Sequence, residues 1–400
     1  MSTLARWRSA KRHYYWLIKI VAVVIRYFLG AARDIRWTYG ASVLTTSASG
    51  RTRYGAHDDS WKCESALKWR QESRRALVRQ HWSFSDTIAA GAVSRRAKGV
   101  ALTTAKVLRG APVARRVRLE VETAARSFIA ETGNSPTLAT VLAGCAPPSS
   151  AYRDAIAQAM GACGINHVDV LLPVAATTGR IVESIERLNE RDDVHGIIVL
   201  LPLPPHVHVL DVVSSIAPTK DVDGISPTSV GRLHLGLPTL YPSTPLAGLE
   251  ILDHYQIPVA GKRAVVVGRG NVVGKPMAAL LTARDATVTL CHSRTVPLED
   301  ETRMADIVVL AAGHPGLLTG RMITPGVTVV DFGVNVAAGR IIGDADAESV
   351  APVAGAYTPV PGGTTPVTTM ALARNTVTAA YAQVGELEGP ASTKRKKTER

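Results

Sequence analysis

The chain has few residues of the kinds that staple or span. Its four cysteines, Cys63, Cys145, Cys163 and Cys291, are scattered over 400 residues with no C-x-x-C pair. That spacing argues against a disulfide framework and a zinc ribbon, and it suits a reducing compartment. Long apolar runs are missing too. The most apolar stretch near the start, Tyr14 to Leu29, is interrupted by Lys19 and Arg26, and its longest uncharged run is Ile20 to Ile25. A spanning helix needs about 20 mostly apolar residues. A secretory signal needs an unbroken apolar core and a small-residue cleavage site, and neither is evident. Aromatic residues are only 5% of the chain, and all six tryptophans lie in the first 82 residues. Acidic residues are nearly absent at the same end, with Asp34 alone against ten basic residues in 1–57.

What is present divides sharply. Residues 1–104 hold 19 Lys and Arg against 6 Asp and Glu, which is the whole of the net charge of +13, while 105–400 hold 27 of each. The high pI therefore belongs to the ends and says little about what the middle binds. Residues 1–104 read as a basic, Trp-rich, disordered or non-catalytic extension without membrane contact. Their composition also fits a mitochondrial transit segment or a membrane-surface helix. A further expectation is a start near Val93 or Val100, which an intact mass of 42.5 kDa for the natively expressed protein would reject. Cytoplasmic residence is expected, with mitochondria as the runner-up. Residues 387–400 read as a charged tail.

From residue 105 the apolar pattern alternates between helix and strand periods. Helices are expected over 113–130, 151–161, 180–191, 246–255 and 368–384. Strands are expected at 138–143, 169–173, 196–204, 265–267, 287–291, 307–311 and 327–331. The strands are continuous apolar runs rather than alternating ones, so the fold class is α/β with parallel sheets covered on both faces.

The stretch Val265-Val-Val-Gly-Arg-Gly-Asn-Val-Val-Gly-Lys-Pro276 reads as strand, glycine turn and helix start. Such a turn lets backbone amides face a phosphate. Its spacing, Gly268-x-Gly270-x-x-x-Gly274, is one residue longer than the usual dinucleotide fingerprint, so an ordinary strand-to-helix turn is the competing reading. The next strand ends in His292-Ser293-Arg294-Thr295 with no acid to hold ribose hydroxyls. Arg269, Ser293 and Arg294 suit a 2′-phosphate instead, which favours NADP over NAD. Against this stands the possibility that both arginines are solvated surface charges.

Several further segments occur in a fixed order: Pro147-Pro-Ser-Ser-Ala-Tyr152, Leu201-Pro-Leu-Pro204, Lys220-Asp-Val-Asp-Gly224, Thr244-Pro245, Cys291-His-Ser-Arg-Thr295, Asp331-Phe-Gly-Val-Asn335 and Pro359-Val-Pro-Gly-Gly363. With the glycine turn they resemble the methylenetetrahydrofolate dehydrogenase/cyclohydrolase family over roughly Ala105 to Glu386. The resemblance implies a folate-binding catalytic domain (105–245 plus 363–386) and a Rossmann-like NADP domain (246–362). The C-terminal helix would pack back on the first. It implies NADP-dependent oxidation of 5,10-methylenetetrahydrofolate to the methenyl cation in one-carbon metabolism and purine biosynthesis. Tyr152 and Asp223 would be the catalytic pair and touch the folate, together with Gly362, Gly363 and Thr368. Gly268, Arg269, Gly270, Gly274, Ser293, Arg294 and Val334 would hold the cofactor. A homodimer is implied, with no metal and no nucleic acid.

Two departures are chemically linked. The family's proton-transfer lysine stands four residues after the tyrosine, where this chain has Ile156. Its glutamine partner precedes Leu-Pro-Leu-Pro, where this chain has Leu200. Replacing both members of a buried polar pair by apolar groups can be nearly neutral for stability. The cyclohydrolase step is therefore expected to be lost. The alternatives are a relocated proton-transfer group, with His167 and His206 the candidates by residue type, and a catalytically silent folate- or nucleotide-binding paralogue. Further departures are Thr365 for a glycine, expected to crowd a loop that borders the folate, Arg109 for an aspartate, and, more mildly, Pro242-Ser-Thr-Pro245 for the family's Pro-Cys-Thr-Pro.

Overall fold

The structure, a computed structural model, describes residues 105–144, 147–337 and 340–385, and nearer the N-terminus the backbone of three strands. The expectations for the rest of 1–104 and for the tail lie outside the described residues. Within a separate compact unit, residues 25–101, strands β1 (Ile35–Tyr39), β2 (Ser42–Thr46) and β3 (Thr52–Gly55) form an antiparallel meander. Part of the span read as a disordered or non-catalytic extension is thus strand. Its β-branched and aromatic residues carry that preference.

After β4 (Lys106–Val107) comes the long helix α1 (Gly110–Thr132), whose buried stripe is Val113, Val117, Val121, Ala125 and Phe128. Gly133 ends it at φ 74°, a left-handed C-cap. The first lobe continues with β5 (Thr137–Ala143), α2 (Pro147–Ala162), β6 (Asn166–Leu172), α3 (Thr178–Asn189) and β7 (Gly196–Val199). Its sheet has the order β6-β5-β7, all parallel. All seven residues of β5 are buried. Leu138 and Leu142 pack with Ile156 and Met160 of α2, while Ala139 and Val141 pack with Ile181 and Ile185 of α3. The strand reads as continuously apolar because both its faces are covered.

The strand expected to run to Pro204 ends at Val199. Pro202 and Pro204 carry no N–H for a ladder, so Leu201-Pro-Leu-Pro204 becomes a turn at the strand end. Short helices α4 (Val209–Ser214) and α5 (Pro227–His234) follow, then α6 (Ser243–His254).

The second lobe comprises β8 (Arg263–Val267), α7 (Gly274–Thr282), β9 (Thr287–Cys291), α8 (Leu298–Arg303), β10 (Ile307–Leu310), β11 (Thr328–Asp331), the hairpin β12 (Asn335–Ala337) and β13 (Arg340–Ile342), α9 (Ala347–Val350) and β14 (Ala356–Tyr357). Its parallel sheet runs β4-β14-β11-β10-β8-β9. The two-residue strand β4, assigned from sequence to the first domain, therefore belongs to the second sheet, through Ala356–Lys106 and Tyr357–Val107. Two residues are too few to declare a partner by pattern.

Helix α10 (Thr364–Gln383) returns to the first lobe and packs on α1 and α6. Glu250 of α6 ties the three helices together, bridging Arg116 of α1 and Arg374 of α10 at 2.5 and 2.6 Å.

Candidate active site

The glycine turn shows which glycines the backbone requires. Gly268 leaves β8 at φ 116°, and a Cβ there would lie 2.2 Å from the Ala311 carbonyl oxygen. Gly274 opens α7, and a Cβ would stand 1.9 Å from the Gly268 oxygen. These two close the turn on itself. Gly270 is different, because nothing lies within 4 Å of the place its Cβ would occupy. The space over that peptide is open, beside the start of a nine-residue helix where Lys275 N–H donates to the Gly270 oxygen at 3.1 Å, Pro276 carries no N–H, and the Gly274 N–H has no partner among the described residues.

Val267 pairs with Cys291, and the Gly268 N–H donates to the Cys291 oxygen at 2.9 Å. Arg269 and the His292–Thr295 turn therefore leave neighbouring strands side by side. That turn is closed by Thr295 N–H on the His292 oxygen at 2.8 Å and by His292 N–H on Thr295 Oγ1 at 3.0 Å. Arg269, Ser293 and Arg294 are exposed. Among the described residues neither guanidinium has an ion-pair partner. Open backbone, a helix N-terminus and two unpaired arginines fit a phosphorylated dinucleotide.

Two buried carboxylates brace the loops beyond β10 and β11. Asp344 accepts from the N–H groups of Ala312, Gly313 and His314 at 2.7, 2.9 and 2.8 Å, and from Asn335 Nδ2 at 2.7 Å. Asp331 accepts from the N–H groups of Gly333, Ala345 and Asp344 at 2.7, 2.8 and 3.2 Å. Burial pushes the Asp331 carboxyl up to about 7; the amide donors oppose this and repulsion from Asp344 adds to it. Val334 emerges from this braced loop 40% exposed.

In the first lobe, Tyr152 of α2 lies close enough to Asp223 to interact electrostatically. Tyr152 is 36% exposed and Asp223 is half-buried. Burial, and secondarily the Asp223 charge, push the phenol above its usual value. Burial likewise pushes Asp223 up to about 6, against a hydrogen bond from the Ser243 hydroxyl and with added repulsion from Asp221. Ser243 Oγ donates to Asp223 Oδ1 at 2.5 Å.

The turn carrying Asp223 uses its other residues structurally. Lys220 is buried and donates to the carbonyl oxygens of Leu188, Asn189 and Arg191 at 3.2, 2.8 and 2.7 Å, closing the C-terminus of α3. Asp221 accepts from the N–H groups of Ile225 and Ser226 at 3.2 and 2.8 Å. Val222 is core, and Gly224 sits at φ 59°. Asp223 alone in this turn stays partly open to solvent.

Ile156 is fully buried and Leu200 is 3% exposed, both within one apolar cluster with Leu142, Met160 and Val222. Neither suggested substitute for the missing lysine is poised there. His167 Nε2 is engaged with Thr140 Oγ1 at 2.8 Å, and it pairs in register with Leu138, four residues down the strand from the level of Leu200. That is about 13 Å at the usual strand rise. His206 Nε2 donates to the Ala176 oxygen at 2.9 Å.

Gly362 lies at φ 101°, exposed, while Gly363 is wedged where a Cβ would stand 2.6 Å from the Pro359 oxygen. Thr368, expected at the folate, is instead buried, with its hydroxyl donating to the Thr364 oxygen at 3.2 Å. The helix begins at Thr364, four residues earlier than its sequence pattern indicates, and that turns Thr368 inward. Thr365, expected to crowd the loop, is exposed in the first helical turn. Ser243 and Asp344 escaped sequence reading; the only hint of the first was the serine in Pro242-Ser-Thr-Pro245.

Residues 108–223 match the family described as tetrahydrofolate dehydrogenase/cyclohydrolase, catalytic domain, and residues 242–384 match the same family's NAD(P)-binding domain. The bifunctional protein FolD of Herpetosiphon aurantiacus is 45% identical over 278 residues, 69% of this chain and 97% of that protein. Its counterpart in Roseiflexus is 46% identical over 282 residues, 70% and 98% of the two chains. Among solved structures, the Campylobacter jejuni bifunctional FolD enzyme has a TM-score of 0.68 at 39% identity, covering 69% of this chain and 99% of its own. The Trypanosoma brucei dehydrogenase-cyclohydrolase, complexed with NADP cofactor and inhibitor, has a TM-score of 0.68 at 37% identity, covering 70% and 99%.

Proposed function

The chain belongs to the tetrahydrofolate dehydrogenase/cyclohydrolase family, and we propose that it is an NADP-dependent 5,10-methylenetetrahydrofolate dehydrogenase that has lost the cyclohydrolase step. The observation that carries the second half is the burial in one apolar cluster of Ile156, one helical turn after Tyr152, and Leu200, just past the end of β7. A buried amine needs a polar partner, and a buried amide needs one too. Here both positions are apolar, so the site has no group there to move a proton to or from water attacking the methenyl carbon.

Hydride transfer requires less of the protein. The N5 and N10 lone pairs of the substrate stabilise the cation as it forms, so the chain's task is to hold two flat rings in register. The nicotinamide, when bound, supplies the hydride acceptor. Gly268 and Gly274 would shape its phosphate cradle, Gly270 would leave room for the phosphate, and Arg269, Ser293 and Arg294 would engage the 2′-phosphate. Val334 would border the nicotinamide. Asp223 accepts from the adjacent donors of the 2-amino-4-oxo pterin edge. Tyr152 flanks the folate, and the exposed Gly362 peptide borders it.

The test is a stopped assay with methylenetetrahydrofolate and NADP+, with acid conversion of any formyl product back to methenyl. NADPH formation with accumulated methenyl product is expected. Formyl product well above the spontaneous rate overturns the loss of cyclohydrolase. Absence of NADPH points to a silent paralogue.

A further inference from the structure

Asp223 is presented by two loops that come from different parts of the chain, and a single side chain on a distant helix joins them. Asn375, in the middle of α10, is 5% exposed. Its Nδ2 donates to the Val222 oxygen at 2.8 Å and to the Tyr241 oxygen at 2.7 Å. Val222 immediately precedes Asp223, and Tyr241 lies two residues before Ser243. Ser243 in turn donates to Asp223 Oδ1. The loops also touch at Gly224, where a Cβ would lie 2.7 Å from the Leu240 oxygen and 2.9 Å from the Pro242 nitrogen. The result is a closed ring of contacts: Asn375 to Val222, along the chain to Asp223, across to Ser243, and back through Tyr241 to Asn375.

We propose that Asn375 is a positioning residue for the folate site, which sets the aim of Asp223 by fixing the Asp223 and Ser243 loops to each other. The inference rests on the reading that Asp223 binds the pterin. Its chemistry is specific. An amide NH2 has two donors, and each here meets one backbone carbonyl, so both are used and none is left for a ligand. An aspartate at the same place has no donor and would set its charge against two carbonyl oxygens. With Ser243 holding Oδ1, Oδ2 is the oxygen left for the pterin edge. A shift of one loop by a fraction of an ångström re-aims that oxygen, and misplacement on the order of 1 Å in a reacting geometry can cost 10²-fold.

Simple loss of packing in α10 would look different, and Gln383 provides the control. It lies on the same helix and also donates to backbone carbonyls, those of His195 at 2.8 Å and of Thr219 at 3.4 Å, four residues before Asp223, but it holds neither Val222 nor the Ser243 loop. Four variants are compared for kcat and KM with methylenetetrahydrofolate, for NADP+ affinity by fluorescence titration, and for melting temperature: Asn375→Ala, Ser243→Ala, the double variant and Gln383→Ala. Asn375→Ala is expected to lower kcat/KM for the folate by about tenfold while leaving NADP+ affinity unchanged; unchanged NADP+ affinity also certifies a folded protein. Gln383→Ala is expected to lower the melting temperature without moving the folate constants. Because Asn375 and Ser243 act on one group, the double variant should lose little beyond the larger single loss. A hundredfold multiplicative loss, or equal folate effects from Gln383→Ala, overturns the proposal. If Asn375→Ala unfolds the chain, Asn375→Ser, which keeps one donor, replaces it in the same cycle, and wild-type folate constants from that variant and from Ser243→Ala overturn the proposal. A companion Asp223→Ala enzyme separates the premises: if it keeps wild-type folate constants, the pterin reading itself fails, whereas an impaired Asp223→Ala beside an unimpaired Asn375→Ala defeats only the positioning role.

Discussion

At the scale of single residues, the departure most worth testing is the pair at 156 and 200. The identity of these residues was legible in the sequence, because the family's lysine and glutamine have fixed offsets from Tyr152 and from Leu201-Pro-Leu-Pro204. That they lie in one apolar cluster was not legible, since α2 and the end of β7 are about forty residues apart and only the fold joins them. Physics then makes a sharp asymmetry. Ile156→Lys alone places an amine into a dry cluster with Leu200 as neighbour, and should cost about 3 kcal/mol or more, the scale for an uncompensated buried charge. Ile156→Lys with Leu200→Gln supplies the partner and should recover part of that loss. Urea unfolding of both variants checks this; equal destabilisation would mean that the two positions do not communicate. The double variant should also form 10-formyl product above the spontaneous rate, while the single variants do not.

At the scale of elements, the sequence pattern located most of the long helices and the covered strands, because a parallel sheet buried on both faces writes itself as short apolar runs. It missed the pieces held by tertiary contact. The helices α4, α5 and α8 have six to eight residues each, too short for a period to register. β4 and β14 have two residues each and exist only through their pairing. The phosphate turn shows how far a motif can be trusted: its three glycines look equivalent in the sequence and are not equivalent in space. Gly268→Ala and Gly274→Ala each drive a methyl group into backbone and should lower the melting temperature by several degrees, as strain of this kind usually costs 1–3 kcal/mol. Gly270→Ala meets only open space and should leave the melting temperature within about a degree. Its methyl nevertheless occupies the approach to the amides, so NADP+ affinity should fall at least tenfold. Differential scanning fluorimetry with and without NADP+ separates the cases. A Gly270→Ala protein that binds NADP+ normally would remove the phosphate from that peptide.

At the scale of the whole molecule, the nucleotide lobe depends on the buried acid pair Asp331 and Asp344, which gathers amides from the loops after β10 and β11 and from the turn after β13. The sequence exposed only half of this device, the aspartate of Asp331-Phe-Gly; its partner thirteen residues on looks like any turn aspartate. The pair gives stability a definite dependence on pH. An unfolded aspartate titrates near 3.9, whereas burial lifts Asp331 up to about 7 in the fold. Between those values the folded state keeps a proton that the unfolded state has released, so this group's contribution is fully present below about pH 4 and falls away as pH rises through 7. Asp331→Asn removes that slope. Other shifted groups, among them Asp223 raised and His167 and His195 lowered, remain in both proteins and cancel in the difference. The stability advantage of wild type over Asp331→Asn should therefore be largest near pH 5 and shrink by pH 8. The change should be on the order of a few kcal/mol, since each pKa unit is worth about 1.4 kcal/mol. Urea titrations of both proteins at pH 5, 6, 7 and 8 read this directly. A difference that stays constant across the series would place the Asp331 carboxyl in its ordinary ionised state and leave its three amide donors, rather than its proton, as what holds the loop under Val334.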